Sequence, residues 1–571
     1  RNGHLPNTNK KKKKKKKTQK TKPKKKKTTY RTKKGPQSAR DMPAGRGSAT
    51  ERRRAANTEQ QNEPHSGTWN CVVLLHWCTG LSGFVYVIWR YANDKANTSL
   101  PNEMRQDFRP SPYGFGRKQD MTSLDWQIER SFVLATWNWL LIHPLLARPT
   151  AYAAPTLLPI FYTAYSALFV TALLGVEVAA VIVILHALFI IVASLRAPIL
   201  CYAAALVVLL LKFSMSDSFR QLLYFRYGTL GYVVIMAIVQ WTLLRCLSFS
   251  LDFIHAGCKA RHQTAPGPPY WKTLAYVLYL PPLYLGPMQN YSEFESQVEK
   301  PKPNCTLWEI AAVLGRLTRS GIHFLLVEGF THYFYSSALS HRTSKVEKLS
   351  VSSLLGYGLA LYFFFFLRYV FCYGFAGSLA SAEGVELPPH SKCIARMHRC
   401  SHFWRYFDRG MHLWIRKYVY NALVGERKGA FWMLFGTATA FGFSWLWHGM
   451  DEVATIWSVL SIAGIATEIL AAEAWKTRPV RNFELKYLTT PQRTRVAEAV
   501  LGAPHYLLTL CACIFHLADM DVCIILCRRI LLGFPFPLVP VLIVLYTGCF
   551  VAPDIMKWEA AAKSRRKEAS S

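Results

Sequence analysis

Long apolar runs constrain this chain of 571 residues more than any other feature. Several come close to, or reach, the ~20 residues that cross a bilayer core of ~30 Å. They are Trp69–Trp89, Tyr152–Leu174, Val178–Leu195, Leu230–Leu244, Leu354–Phe375 and Phe534–Val551. Only helices and closed barrels satisfy their backbone in lipid, so we predict an all-α polytopic membrane protein with about 10–12 transmembrane helices. A composition that is 51% hydrophobic and 14% aromatic argues against a soluble enzyme.

One apolar run is interrupted by Pro and Gly. It reads "YVLYLPPLYLGPMQNYSEF" and extends from Tyr276 to Phe294. Irregular backbone at membrane depth is tolerated only where it is buried in protein or lines a cavity. We therefore expect this run to be re-entrant rather than to cross the bilayer as one helix.

Positive charge is concentrated at the N-terminus. Residues 1–66 contain 23 Lys and Arg and four acidic residues, without apolar periodicity, so we expect a disordered tract. Lysine runs are also typical of nuclear signals, RNA tethers and lipid-binding arms. A solvated tail is the simpler interpretation, part of which would precede a start at Met42, and we predict no nucleic-acid partner. The expected domains are thus the tract 1–66, a membrane domain 67–553 and a basic cytosolic tail 554–571.

Loop charge predicts the orientation of the chain. The first apolar run lies too deep for a cleavable signal peptide and follows the basic residues Glu51–Arg54, so we expect a signal anchor with a cytosolic N-terminal side. Lys392–Lys428 has nine Lys and Arg against two acids, and Lys476–Arg495 has six against one. Both segments are predicted to be cytosolic. The span from Phe431 to Trp447 would then place His448 at its lumenal end.

Cysteine spacing indicates neither a zinc site nor a disulfide framework. The 14 cysteines are scattered, several of them inside apolar runs, with no CxxC pair. We therefore predict no structural metal and no disulfide scaffold.

His448 ends the apolar run "FWMLFGTATAFGFSWLWHGM" beside two tryptophans. An imidazole titrates near pH ~6.5 and is the usual general base, and ionisable residues in membrane segments are often functional. A histidine held at the interface by a neighbour is the alternative. Histidine alone is a weak signal here, because others lie in or near apolar runs: His143, His186, His323, His332 and His516.

A second group of candidates lies in "CSHFWRYFDRGMHLWIRKYVY", from Cys400 to Tyr420. Aromatic and charged residues alternate at helical spacing, which packing at the membrane interface explains about as well as catalysis does. Asp408 is more informative, because a carboxylate inside an aromatic cluster needs a partner such as Arg405 or His412.

The segment "WRYFDRGMHLWIRKYVY", followed by a span that ends in "SWLWHG", resembles the signature of the membrane-bound O-acyltransferase (MBOAT) superfamily. Further similarity lies in "LAYVLYLPPLYLGPMQNYSEF" and "RCLSFSLDF". The resemblance covers most of the chain from about Gly67 onward. It is strongest to the branch that palmitoylates protein cysteines at their amino group.

The resemblance implies an MBOAT fold with re-entrant segments around a central cavity, in the membrane of the endoplasmic reticulum or the Golgi. The implied reaction transfers palmitate from palmitoyl-CoA on the cytosolic side to the N-terminal cysteine of a hedgehog-type secreted signalling protein, which forms an amide. No cofactor is required for this chemistry. The polyanionic CoA would suit the basic segment that contains Arg405.

The resemblance also implies roles for individual residues. His448 falls on the histidine that marks the superfamily, and Asp408 on the acidic residue of the palmitoylating branch, so both are candidate catalytic residues. The candidates for substrate binding are Arg405, Trp404, Trp447, Glu328 and His332.

Two of these assignments have a structural alternative. Glu328 and His332 stand at i and i+4 on one helical face, where a buried structural pair is the simpler reading. Cys393 falls on a position proposed in the branch as an iron ligand of haem b, and an inert or palmitoylated thiol explains it equally well.

Three other functions stay open. The chain could be an acyltransferase for a Wnt-type serine or for a lipid. It could be a non-enzymatic regulator, although such members of the branch lack the superfamily histidine. A transporter would also have broken helices and charges in the membrane, but often shows internal repeats, which this sequence lacks.

Overall fold

The computed structural model describes residues 67–259, 267–301, 306–393 and 397–568. The N-terminal tract 1–66, for which disorder is predicted, lies outside the described residues.

The described residues are mainly helical, with one small antiparallel pair of strands, β1 (Phe108–Arg109) and β2 (Gln119–Asp120). The first half contains α1 (Gly67–Ala92), α2 (Lys95–Thr98), α3 (Leu100–Glu103), α4 (Leu124–Ala153), α5 (Leu158–Leu174), α6 (Val176–Ser194), α7 (Pro198–Phe213), α8 (Asp217–Lys259), α9 (Tyr270–Leu278), α10 (Tyr291–Glu299) and α11 (Leu307–Tyr333). The second half contains α12 (Ser336–Ser340), α13 (Thr343–Lys348), α14 (Val351–Glu383), α15 (Cys400–Tyr406), α16 (Arg409–Ile415), a π-helical turn (Arg416–Tyr420), α17 (Asn421–Val424), α18 (Ala430–His448), α19 (Glu452–Ala474), α20 (Arg478–Tyr487), α21 (Pro491–Leu517), α22 (Met520–Leu531) and α23 (Leu538–Glu568).

Within these ranges, nine helices are long and apolar enough to cross a membrane: α1, α5, α6, α8, α11, α14, α19, α21 and α23. The all-α polytopic fold predicted from the apolar runs is therefore confirmed. The shorter apolar α7 is a further candidate, and α18 has 19 residues, three of them tryptophans. The expected 10–12 spans are reached only when such shorter helices are included.

The middle of the interrupted run, from Tyr279 to Asn290, is non-helical and buried, so the run does not form one continuous helix. Helix α9 ends at Leu278, and the chain continues without regular structure to Asn290. The buried Arg245 donates hydrogen bonds to the carbonyls of Val277 (2.9 Å) and Pro282 (2.6 Å), and the Tyr276 hydroxyl donates to that of Gln289 (2.5 Å). Side chains thus satisfy carbonyls that no helix satisfies, which irregular backbone inside a membrane protein requires.

Three consecutive long helices surround the candidate site. Helix α18 packs against α19, and α19 packs against α21. A turn of three residues, Gly449–Asp451, joins α18 to α19, so the two helices are antiparallel. His448 therefore lies at the opposite end of α18 from Arg427 and Lys428, the basic residues just before this helix, some ~27 Å away along a helix of this length.

The described part of the expected tail, residues 554–568, continues α23 without a break. It packs back on the chain, because Trp558 stacks on Trp77 with ring centroids 5.7 Å apart and Glu559 pairs with Lys392 at 3.0 Å.

Candidate active site

His448 is held at the end of α18 by the turn that follows it. Gly449 has φ +116°, a conformation that favours glycine, and ends the helix. The Asp451 carboxylate then accepts a hydrogen bond from the Ala454 amide (2.7 Å) and begins α19. The His448 side chain is exposed at this helix end.

Two aromatic rings from other helices flank the imidazole. Trp457 of α19 lies edge-on with ring centroids 5.2 Å apart, and His516 of α21 lies edge-on at 4.9 Å. Trp457 and His516 also contact each other, at 4.9 Å. Three helices thus converge on one accessible imidazole.

Trp404 completes this group from α15. Its ring centroid lies 5.3 Å from that of Trp457 and 6.4 Å from that of His516. We call His448, Trp457, His516 and Trp404 the histidine–tryptophan cluster. The structure thereby brings together two residues that the sequence predicted, His448 and Trp404, with two that it did not, Trp457 and His516.

Helix α15 reaches the cluster because it is inserted between α19 and α21. The Ser401 amide donates to the Glu468 carboxylate (2.9 Å), and the same carboxylate pairs with His505 at 3.0 Å. The Cys400 side chain packs closely on Gly464. The basic segment predicted as a cytosolic loop is thus partly interior, and its aromatic residues face the bundle rather than a membrane surface.

Asp408 lies at the start of α16 and caps it. Its carboxylate accepts hydrogen bonds from the Met411 amide (2.9 Å) and from the Tyr373 hydroxyl (2.6 Å). Burial raises the pKa of Asp408, although these hydrogen bonds act in the opposite direction. The partner of the carboxylate is therefore a tyrosine, and not Arg405 or His412 as the sequence suggested.

Asp408 and His448 are not in direct contact. Among the described residues, no side chain is recorded in contact with both. The connection between them runs through aromatic rings, from His516 to Phe365 (5.5 Å) and from Phe365 to Phe407 (4.9 Å), next to Asp408 in the chain. A bound substrate that contacts both Asp408 and His448 would have to extend between them.

Cationic side chains surround His412 on α16. The pKa of His412 is lowered to about 4 by burial and then by the nearby charges of Arg405, Arg416 and Arg409. Arg405 is exposed, and Arg409 lies over the Tyr406 ring at 5.6 Å. His412 is therefore neutral at physiological pH, and the arginines form a positive surface that could hold phosphate groups.

Glu328 and His332 belong to a separate buried network. The Glu328 carboxylate accepts hydrogen bonds from Gln119 (3.0 Å) and from the Trp126 indole (2.8 Å), and it pairs with Arg130 at 3.2 Å. The His332 Nδ1 lies 2.6 Å from the Glu328 carbonyl oxygen. Neither residue contacts the histidine–tryptophan cluster in the part of the chain that is described. Their side chains have separate partners, and these buried contacts favour structural roles for both.

Glu328→Gln should destabilise the fold without removing the site. Gln keeps one of the two oxygens that accept hydrogen bonds and replaces the other by an NH₂ group. That group would face the donors of Gln119, Trp126 and Arg130, which we expect to cost about 1–3 kcal/mol of folding free energy. A lower thermal midpoint of the purified protein would show this. The exposed Glu426 provides the control, since Glu426→Gln should leave the midpoint unchanged, and an equal midpoint for both variants would contradict the structural role.

Trp447 faces away from the cluster, toward α8. Its ring centroid lies 6.4 Å from that of Trp241 and 6.3 Å from that of Phe443. The neighbouring Trp445 donates its indole N–H to the Thr455 hydroxyl at 2.8 Å. Trp447, a predicted substrate-binding residue, therefore has its ring contacts with Trp241 and Phe443 and not with the cluster in the described part of the chain.

Cys393 is the predicted iron ligand of haem b. Its thiol is exposed, and a thiolate can bind haem iron. A nearby cavity of about 190 Å³ is lined by Lys392, Met397, His402, Tyr406, Met556, Glu559 and Ala560 and not by Cys393. Haem binding stays a prediction from the resemblance, and no step of the proposed chemistry uses it.

The sequence did not single out His516, one of several histidines in or near apolar runs, or Trp457. Each lies in an ordinary apolar helix, without a motif or a charged neighbour. Their contact with His448 arises only from the packing of α18, α19 and α21, which residue spacing does not report.

Comparison with known proteins identifies the family of this chain. Residues 180–483 match the family "MBOAT, membrane-bound O-acyltransferase family", a range that contains every site residue predicted from the sequence but not His516. The chain is 32% identical to protein-cysteine N-palmitoyltransferase HHAT of Mus musculus, over 47% of this chain and 54% of the relative. It is 33% identical to protein-cysteine N-palmitoyltransferase Rasp of Drosophila melanogaster, over 43% and 47%.

A third relative aligns over more of the chain. The protein-cysteine N-palmitoyltransferase HHAT-like protein of Mus musculus is 26% identical over 81% of this chain and 90% of the relative. The chain spans about half the length of the two more identical relatives. The family match covers more than half of the chain and includes the accessible histidine of α18, so this chain belongs to the membrane-bound O-acyltransferase family.

Proposed function

We propose that this protein is a protein-cysteine N-palmitoyltransferase of the endoplasmic reticulum or Golgi membrane. It transfers palmitate from palmitoyl-CoA to the N-terminal cysteine of a hedgehog-type secreted protein. The observation that carries the proposal is His448, an accessible imidazole at the end of a membrane helix, flanked by Trp457 and His516. Two relatives that are about one-third identical are named protein-cysteine N-palmitoyltransferases, and the acyl group and the acceptor residue of the proposal follow theirs.

The proposed chemistry needs a base near the acceptor. The amine attacks the thioester carbonyl, a C–N bond forms, the C–S bond breaks and CoA leaves as a thiolate. An α-amino group has a pKa of ~7.7–8.0 and must lose a proton to react, so His448 takes that proton and passes it to the leaving thiolate. Loop charge favours a lumenal position for His448, the side on which a secreted acceptor would reside.

The donor is proposed to bind from the opposite end. The arginines around His412 would pair with the phosphates of CoA. Helix α15 connects this positive surface to the cluster, since Arg405 is exposed while the adjacent Trp404 contacts Trp457. The bound donor would extend along α15 from the surface to the cluster. The acyl chain would lie among the apolar helices, with the thioester near His448.

Asp408→Asn tests the role of this carboxylate. Asn caps helices as well as Asp does, so α16 should keep its start while the negative charge is lost. If Asp408 orients the acceptor amine, transfer should fall at least ~10-fold. Asp94→Asn, which changes the cap of α2 in the same way, is the matched control. Full activity of Asp408→Asn would reduce Asp408 to a helix cap.

The direct test uses purified protein, palmitoyl-CoA and a set of short peptides. We expect palmitate on a peptide that begins with Cys. We expect none when its amine is blocked, when Ser replaces the first residue or when only an internal serine is present. Transfer to the internal serine or to a lipid would indicate another acceptor class.

The alternative that the sequence leaves is a non-enzymatic regulator, against which the family match and the presence of His448 argue. Absence of transfer to every peptide and lipid, by protein that binds palmitoyl-CoA, would favour it.

A further inference from the structure

The buried indole of Trp457 has an N–H group without a partner. Trp457 is 3% exposed, and its Nε1 makes no hydrogen bond with any described residue. A buried donor that stays unpaired is costly, and native structures contain few of them. Since the same ring contacts His448 and His516, the unpaired donor lies beside the candidate site.

His516 is the second group without a hydrogen bond. Its ring is surrounded by aromatic rings, those of Phe365 (5.5 Å), Trp457 (4.9 Å) and Trp404 (6.4 Å), and by His448. No hydrogen bond joins its nitrogens to another described residue. A neutral imidazole always has one N–H donor, so His516 can donate to a ligand.

The indole N–H of Trp404 is a third donor of the cluster without a hydrogen bond to a described residue. The Trp404 ring contacts Trp457 and His516, and no ring contact between Trp404 and His448 is found in the described part of the chain. Trp457 and His516 are the two rings that contact the imidazole directly, so their donors lie closest to the reacting atoms.

We propose that Trp457 and His516 form the site that binds the thioester carbonyl oxygen of the acyl donor. This inference rests on the proposed function, in which a carbon atom close to His448 is attacked. When the amine nitrogen bonds to that carbon, the π electrons of the carbonyl move to its oxygen, and the two N–H groups donate to the resulting oxyanion. Collapse restores the carbonyl and expels the CoA thiolate, while the amine proton passes to His448.

The geometry meets the requirements for such a site. The three rings are within about 5 Å of one another, so a carbonyl carbon placed against the His448 imidazole has its oxygen next to both other rings. Donors that are fixed by packing lose little on reaction and act strongly where water is scarce. Trp457 and His516 would thus be catalytic residues that contact the substrate.

Trp457→Phe removes the N–H and keeps a ring. We expect turnover to fall by about 10²-fold, with little change in the KM for palmitoyl-CoA, because the lost hydrogen bond strengthens in the transition state. Trp445→Phe is the matched control, since that indole donates to Thr455 and lies outside the cluster. Unchanged turnover in Trp457→Phe, or an equal loss in Trp445→Phe, would overturn the proposal.

His516 gives an independent pair of variants. The amide of His516→Gln keeps a donor, whereas His516→Phe has none. We expect the Gln variant to retain at least ten times the turnover of the Phe variant. Equal turnover in the two variants would show that the ring has only a packing role.

A spectroscopic measurement needs neither the acceptor nor a variant of these two residues. The variant His448→Ala should hold palmitoyl-CoA labelled with ¹³C at the thioester carbonyl without consuming it. We expect the infrared stretch of the labelled carbonyl at a lower frequency than in an apolar solvent, because two N–H donors polarise the C=O bond. A frequency equal to that in the apolar solvent would refute the carbonyl site. Because no acceptor is present, this measurement tests the carbonyl site even if the proposed acceptor is wrong.

Discussion

Replacement of His448 by alanine is expected to lower palmitoyl transfer by about 10²- to 10⁴-fold, the usual contribution of a general base. The imidazole is exposed at the end of α18, so its loss creates no buried cavity and breaks no hydrogen bond to a described residue. The thermal midpoint and the binding of palmitoyl-CoA should therefore stay close to those of the wild type. Initial rates with a peptide that begins with Cys would measure the loss.

The exposed His341 offers a control for this variant. It lies at the end of α12, outside the candidate site, and His341→Ala should retain the rate of the wild type. Equal rates for His448→Ala and the wild type would show that His448 does not act as the general base.

Gly410→Ala is expected to abolish activity through displacement of α16. A Cβ atom at this position would lie 2.4 Å from the carbonyl oxygen and 2.9 Å from the amide nitrogen of Met288. Both atoms are backbone of the buried non-helical segment, which cannot rotate aside as a side chain can. Relief of the overlap would move α16, and Asp408 with it, at a cost of about 1–3 kcal/mol or more.

Gly442→Ala is the matched control for this change. Gly442 lies in α18, six residues before His448, and nothing lies within 4 Å of the Cβ it would gain. Ala is the better helix former, so stability should stay equal or rise slightly. Activity in Gly410→Ala equal to that in Gly442→Ala would mean that α16 is free to shift, in conflict with the packing described here.

The predicted spans were identified because each carries its own signal. An apolar run such as Val178–Leu195 corresponds closely to α6, and the Pro and Gly residues between Tyr276 and Phe294 correspond to a non-helical segment. Both rest on local properties of the chain, namely hydropathy and backbone constraint.

The insertion of α15 carries no such signal. Its alternating aromatic and charged residues fit an interfacial helix as well as a buried one, because Arg405 remains exposed while Phe403 is buried. Which face meets the bundle depends on α19 and α21, far along the chain. The sequence could not indicate the partner of Asp408 either, because Tyr373 belongs to α14 and lies 35 residues earlier in the chain.

The residues of the candidate site also differ in whether the sequence could indicate them. His448 and Trp404 stand in a recognisable sequence pattern, whereas Trp457 and His516 are identified only by their ring contacts. A single histidine among many in apolar runs is ambiguous in the sequence. Its exposure and the unpaired donor beside it single it out in the structure.

The most direct test of the account is the chemical nature of the product formed on a peptide that begins with Cys. Purified protein is incubated with palmitoyl-CoA and the peptide, and the product mass is measured before and after treatment with neutral hydroxylamine. We predict that one palmitoyl group is added and survives the treatment, because an amide resists hydroxylamine whereas a thioester does not. A palmitoyl group that hydroxylamine removes, or palmitate found only in the lipid fraction, would contradict N-palmitoylation.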